Sequence, residues 1–251
     1  MSRVHRFVSV VALLAAGVFG EASIAHAQAT DLSPWSVELG IGFDNDISGY
    51  INASGIGTIN NQAVVILKNT YEDVYGTGLH LRGGVGYMLA DQKTELRANL
   101  TFQSLDADFV TPLGDIGASK LYGQFSDYQA LTLDLGARQY YPLSPKVRAY
   151  GEGAIGIGFI DKIDIKLVAP GVNMITNAND VYDQTVAFSL GGNGGLMFDH
   201  SDKLGLFVQM GLRWTSGLAE IDDLVGTGLD TINDQSSRWT VPFIVGAHYR
   251  F

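Results

Sequence analysis

No cysteine occurs in these 251 residues, which excludes a disulfide framework, a thiol nucleophile and a thiolate metal site. Positive charge is scarce too, with 16 Lys and Arg against 26 Asp and Glu. A nucleic-acid partner needs a basic footprint, so this balance excludes one. Beyond residue 27 no apolar run approaches the ~18 residues that a membrane-spanning helix needs. If the chain crosses a membrane, it must therefore do so as a closed β-barrel, because an open sheet would leave unpaired backbone groups in lipid.

What is present begins with an address. Arg3, His5 and Arg6 make a basic start, Phe7 through Gly20 is an apolar run, and Ala25-His26-Ala27 offers a small-x-small cleavage site. Residues 1–27 are thus expected to be a cleaved secretory signal peptide, with the mature chain spanning 28–251. Without Arg3, Arg6 and Glu21 the mature chain holds 14 basic and 25 acidic residues, a net charge of −11. Its many glycines suit strands that bend and pack in a small barrel.

The last stretch, Arg238 to Phe251, alternates strictly. Trp239, Val241, Phe243, Val245, Ala247, Tyr249 and Phe251 are apolar, whereas the residues between them are mostly polar or small. Period two over this length predicts a strand with one apolar face. Seven more segments read the same way: Trp35–Phe43, Leu79–Tyr87, Glu95–Gln103, Leu131–Arg138, Val147–Phe159, Val186–Phe198 and Leu204–Trp214. Short joins fall near Ala90–Lys93, Pro142–Lys146 and Asp199–Lys203. Long ones fall near Asn45–Val74, Asp106–Asp127, Asp161–Asp183 and Ser216–Ser237. Short turns on one side and long loops on the other predict an all-β, closed, up-and-down antiparallel transmembrane barrel of eight strands, with short periplasmic turns and long extracellular loops.

The aromatics support that orientation. Trp35, Tyr87, Tyr140, Tyr141, Phe198, Tyr249 and Phe251 fall at the periplasmic ends. Phe43, Phe102, Tyr128, Phe159, Trp214 and Trp239 fall at the outer ends. Trp35, Trp214 and Trp239 are thus expected in two interfacial girdles. Together with the Tyr249–Phe251 ending, these features make the mature chain resemble the small eight-stranded bacterial outer-membrane barrels of the OmpA, OmpX and opacity-protein type. The resemblance implies an outer-membrane location, a lipid bilayer around the barrel, and a barrel-assembly machinery that reads Tyr249 and Phe251 as an insertion signal. It covers 28–251, so no further periplasmic domain is expected.

Eight strands leave an interior just wide enough for side chains to fill. The inward set is expected to include Glu38, Arg82, Glu95, Arg97, Asp134, Arg138, Arg148, Glu152 and Arg213. Opposite charges in so narrow a space should pair, since an unpaired buried charge is far costlier. The expectation is a plugged scaffold; the alternative is a narrow, porin-like pathway for small solutes. A lipid-modifying hydrolase needs a Ser–His–acid set, and His80, His200 and His248 lie far apart in sequence with no flanking serine motif. No enzymatic activity and no cofactor are expected. Asp44-Asn-Asp46-Ile-Ser48-Gly49 matches the start of a calcium loop, but Gly55 stands where the bidentate Glu belongs. It reads as a solvated loop. The loops are then the working part. Ser216–Ser237 carries Glu220, Asp222, Asp223, Asp230 and Asp234 without a Lys or Arg, and an extracellular partner of these acidic loops is expected. The apolar runs Ala63–Leu67 and Lys166–Ala169 could extend the barrel as hairpins.

Overall fold

The computed structural model describes residues 33–59, 61–172, 174–175, 179–221, 226–234 and 236–251. The expected signal peptide lies outside the described residues. Eight long strands appear where alternation predicts them: β1 (Trp35–Asn52), β5 (Gly78–Met88), β6 (Thr94–Leu105), β9 (Tyr128–Ser144), β10 (Val147–Ile160), β14 (Thr185–Asp199), β15 (Leu204–Thr215) and β16 (Arg238–Arg250). Each pairs antiparallel with its neighbour in chain order. The cycle closes through β1 and β16, whose register runs from Ser36 opposite Arg250 to Gly49 opposite Arg238. No edge remains unpaired among these eight strands.

Both ends of the described chain lie at one rim, where the Phe251 amide donates to the Trp35 carbonyl at 3.2 Å. The three short turns share that rim. In the turn before β6, Asp91 accepts hydrogen bonds from the Thr94 hydroxyl and from the Lys93 and Thr94 amides. These bonds hold its carboxyl below the usual carboxylate range, and Asp is a favoured turn residue because it can bond its own backbone in this way.

The four long connections fold as well. They contain β2 (Gly55–Ile59), β3 (Gln62–Ile66), β4 (Asn69–Thr70), helix α1 (Tyr71–Val74), β7 (Thr111–Ile116), β8 (Ser119–Phe125), β11 (Ile163–Ala169), β12 (Met174–Ile175) and β13 (Asn179–Tyr182). A second sheet forms in the order β12-β11-β8-β7-β3-β2, with β13 also on β11. The two apolar loop runs therefore become the strands β3 and β11. Their buried faces meet Ile51, Tyr71, Val74, Leu105, Ile160, Tyr182 and Leu229 in one apolar core across the far rim. The barrel thus carries a packed cap. Helix α1 is a single turn held by a capping box, in which Thr70 and Asp73 bond each other's backbone amides.

Along each barrel strand, successive side chains alternate between the interior and the outside. On β9, Ala130, Thr132, Asp134, Arg138 and Tyr140 are buried, whereas Leu131, Leu133 and Leu135 face outward. The outward set repeats around the barrel: Leu39, Ile41, Val85, Leu96, Ile155, Phe188, Leu206, Met210 and Val245 are all exposed. A continuous apolar belt on a closed barrel is the outer surface of a membrane protein, since water would penalise it. Trp35, in edge contact with Tyr87, marks one margin of the belt. Trp214 and Trp239, directly opposed on β15 and β16, mark the other.

Two aromatics depart from the expected girdles. Tyr140 and Tyr128 point inward and are buried, because both share the parity of Arg138 on β9. Tyr141 occupies the girdle position instead, facing outward.

The belt makes a residue-by-residue prediction. Leu133 is 51% exposed and Thr132 only 4%. Leu133→Arg should destabilise the barrel by about 2–4 kcal/mol, the cost of a charge at mid-bilayer. Paired spin labels in reconstituted vesicles check the orientation: position 133 should be strongly accessible to lipid-dissolved oxygen and position 132 shielded. The reverse pattern would mean that this strand is turned inside out.

Candidate functional site

The interior is built from the inward residues of all eight barrel strands. At its centre stands Arg138, fully buried on β9. It donates from Nη1 to Glu38 Oε2 at 2.6 Å, from Nη2 to Glu38 Oε1 at 3.2 Å, and from Nε to Glu152 Oε2 at 2.8 Å. Arg97 lies 3.0 Å from Glu38 and 3.1 Å from Glu95, and Arg82 pairs with Glu152. Three arginines and three glutamates thus form one charge-balanced cluster joining β1, β5, β6, β9 and β10.

Neutral side chains and one imidazole add further contacts to it, although Arg82 Nε and Arg97 Nε make no hydrogen bond. The Tyr140 hydroxyl donates to Glu95 at 2.8 Å, Ser36 Oγ also donates to Glu95, and His248 Nε2 lies 3.2 Å from the same carboxylate. The Arg138 guanidinium rests 4.2 Å from the centre of the Tyr150 ring, whose hydroxyl bonds Gln209 at 3.0 Å. A Cβ at Gly86 would displace the Glu95 carboxylate and Ser36 Oγ from their contacts. Below the cluster Met88, Tyr140, Tyr150, Met197, Phe207 and Ile244 pack together, so the barrel is filled toward the rim that holds the termini.

Two further levels lie above. Arg213 holds Asp134 at 2.7 Å. Nearer the cap, Asp44 accepts from Gln103 at 2.5 Å and lies 2.8 Å from His80 Nδ1. Asp46 pairs with Arg238 Nε at 2.8 Å. Arg238 is buried between two cap-core rings, 4.3 Å from the centre of Tyr128 and 5.1 Å from that of Tyr71. Tyr71 in turn donates to the Ser236 carbonyl at 2.7 Å, and burial pushes its hydroxyl well above the usual range. Arg238 therefore ties the last barrel strand to α1 and the cap.

Eight of the nine expected interior charges face inward as pairs. The ninth, Arg148, has the same inward parity and lies 4.5 Å from the Tyr140 ring centre, but at the rim of the termini it is partly exposed and pairs with Asp199 at 2.6 Å instead of joining the cluster. Asp44 to Ser48 is a correction. This stretch is no solvated loop but the upper continuation of β1. A bulge between Asp46 and Ser48 and a φ of 116° at Gly49 bend it over the mouth. Arg238, Asp44 and Asp46 join the interior as well, each sharing the inward parity of the polar residues on its own strand, and His80 faces inward as its place on β5 implies.

The chemistry available is limited. Ser36, Glu95 and His248 meet, but the carboxylate stands between the other two. A hydrolase needs the imidazole against the hydroxyl. Among the described residues no group of three or more His, Asp or Glu is arranged to hold a metal. On the outside, a cleft of about 450 Å³ is lined by Asp127, Asp161, Asp164 and Asp183. There Lys162 already bridges Asp164 and Asp180, at 3.1 Å each.

Charge is sorted between the two parts. Segments 53–77, 106–127, 161–184 and 216–237 contain 15 acidic and 4 basic residues, a net charge of −11. The rest of 28–251 contains 10 of each and is neutral.

No protein-family model matches this sequence, and no curated protein is significantly similar to it. Solved structures with a similar course of strands include Neisserial surface protein A, at 10% identity over 88% of this chain and 100% of that one, TM-score 0.44. Ail, the attachment invasion locus protein of Yersinia pestis, is 12% identical over 86% of this chain and 98% of that one, TM-score 0.36. The outer membrane protease OmpT of Escherichia coli is 8% identical over 89% and 99%, TM-score 0.44.

The Arg238 junction yields a prediction. Arg238→Met should leave Asp46 buried without its cation and cost about 3–5 kcal/mol. Tyr71→Leu, which removes the ring together with its hydrogen bond to the Ser236 carbonyl, should cost about 2–4 kcal/mol. Protease added outside reconstituted vesicles should cut segments 53–77 and 216–237 faster in Arg238→Met than in the parent. An equally resistant cap would show that Arg238 does not hold it.

Proposed function

We propose that this chain is an integral outer-membrane barrel that works as a closed scaffold and presents its cap to the outside of the cell. The observation that carries this reading is the filled interior. A paired cluster of three Arg and three Glu, a second Arg–Asp pair and the Asp46–Arg238 junction occupy successive levels below a packed cap. Side chains that are paired and packed in this way leave no free path for a hydrated ion.

Export by a cleaved signal peptide at 1–27 and assembly through Tyr249 and Phe251 belong to the same reading. The two aromatics stand in edge contact at the closing strand, with ring centres 5.5 Å apart. The reading assigns no enzymatic activity to the barrel, since the serine, carboxylate and imidazole that meet inside it are in the wrong order for acyl transfer. Its working surface is the anionic cap, which acts by binding.

Purified protein in planar bilayers tests the proposal. Silent membranes at neutral pH are expected, with rare transient openings at most. Steady open-channel conductance would overturn the scaffold, and solute uptake by loaded liposomes would favour the narrow-pathway alternative.

A further inference from the structure

The cap sheet has two faces of unlike use. One packs on the cap core through Val64, Ile66, Leu113, Ile116 and Leu121, all buried. The other should be polar in water, because strands alternate and its residues meet no core. It is instead apolar along several strands. Val65 is 42% exposed and its register partner Ile56 is 75% exposed. Leu67 follows on the same side at 51%, and its amide donates to the Leu113 carbonyl, which places it beside β7. That strand is entered through Phe109 and Val110, 82% and 45% exposed. Pro112, exposed on β7, pairs with Tyr122 of β8.

Two carboxylates lie next to Phe109 in the chain: Asp106 and Asp108 both precede it and are exposed. Among the described residues neither has an ion-pair partner. Of the lysines on this face, Lys120 is neutralised by Asp115 at 2.7 Å, and Lys166, opposite Gln124 on β8, is exposed at its far side. An apolar surface with free negative charge at its border has a definite complement.

We infer that this face docks a cationic, amphipathic polypeptide segment of a partner. Its apolar side chains lie on Ile56, Val65, Leu67, Phe109 and Val110, and its Lys or Arg residues meet Asp106 and Asp108. The inference rests on the reading of the cap as the working surface and names the class of partner it takes. Charge decides against the other apolar occupant, a lipid leaflet. A cap of net charge −11 is repelled by anionic headgroups, whereas it draws a cation from a distance.

The test uses the mature protein in nanodiscs of zwitterionic lipid, with a fluorescent helical peptide of about 18 residues that places Leu on one face and Lys on the other. Saturable binding is expected, absent from empty discs and absent for a peptide of equal charge with Ser replacing Leu. Phe109→Ser with Val110→Ser should weaken binding about tenfold, as loss of an apolar anchor does. Asp106→Asn with Asp108→Asn should weaken it severalfold and flatten its salt dependence. Heat-modifiable gel migration confirms that each variant is folded. A photo-crosslinker on the peptide should map to segment 106–127 or 53–77. Equal binding of the Ser peptide, equal binding to empty discs, or crosslinks confined elsewhere would overturn the inference. Bilayer recordings on the same preparation separate the two readings. Silent membranes without peptide binding sink this inference alone, whereas steady current sinks the scaffold.

Discussion

The structure depends on the pairing of Arg138 with Glu38 and Glu152 inside the barrel. An eight-stranded barrel cannot leave its interior empty, and this chain fills it with charge. Removing six charges from water carries a desolvation cost of several kcal/mol per ion, which only close and complete pairing offsets. Completeness is visible in the stoichiometry, three arginines to three glutamates, and in the hydroxyls of Ser36 and Tyr140 that occupy Glu95. Glu38 and Arg138 lie 100 residues apart. The cluster therefore forms only when β1, β5, β6, β9 and β10 stand in register. Curling these five strands around the lumen and neutralising its charges are therefore coupled.

The same constraint divides the molecule electrically. Within the barrel wall and its short turns positive and negative residues are equal in number, as a low-dielectric interior demands, and the whole excess of negative charge resides beyond the far rim. The two parts meet at Arg238, which belongs to the last barrel strand yet lies against Tyr71 and Tyr128 of the cap core. The cap is therefore a continuation of the barrel's packing, with its own apolar core. This is why its outer sheet face is free to be unusual.

The barrel was legible because its signal is local. Period two on each strand fixes which residues face lipid, and loop lengths fix which rim is which. Parity alone places Glu38, Arg82, Glu95, Arg97, Asp134, Arg138, Glu152 and Arg213 inside. Parity also contains the misses. Tyr140 and Tyr128 share a face with Arg138, but an aromatic near a strand end resembles a girdle residue until strand length is known. Asp44 and Asp46 continue the inward series of Glu38, yet the Asp-Asn-Asp-Ser-Gly run carries strong turn chemistry that hides it. Arg148 has the right parity and the wrong height. The cap sheet was the least legible part. Its pairings, such as Val64 with Ile116 and Ile165 with Phe125, join separate loops, and no local pattern encodes them.

The buried charges act as one balanced unit, and a double-mutant cycle measures that coupling. Arg138→Met alone leaves two glutamates over-charged and should cost about 3–5 kcal/mol in unfolding from lipid vesicles. Glu152→Met alone should cost a comparable amount. The double variant restores a balance of two and two. It should cost less than the sum of the singles by at least about 1 kcal/mol, the coupling expected of residues within one ion-pair network. Additive losses, equal to the sum within about 0.5 kcal/mol, would contradict the account.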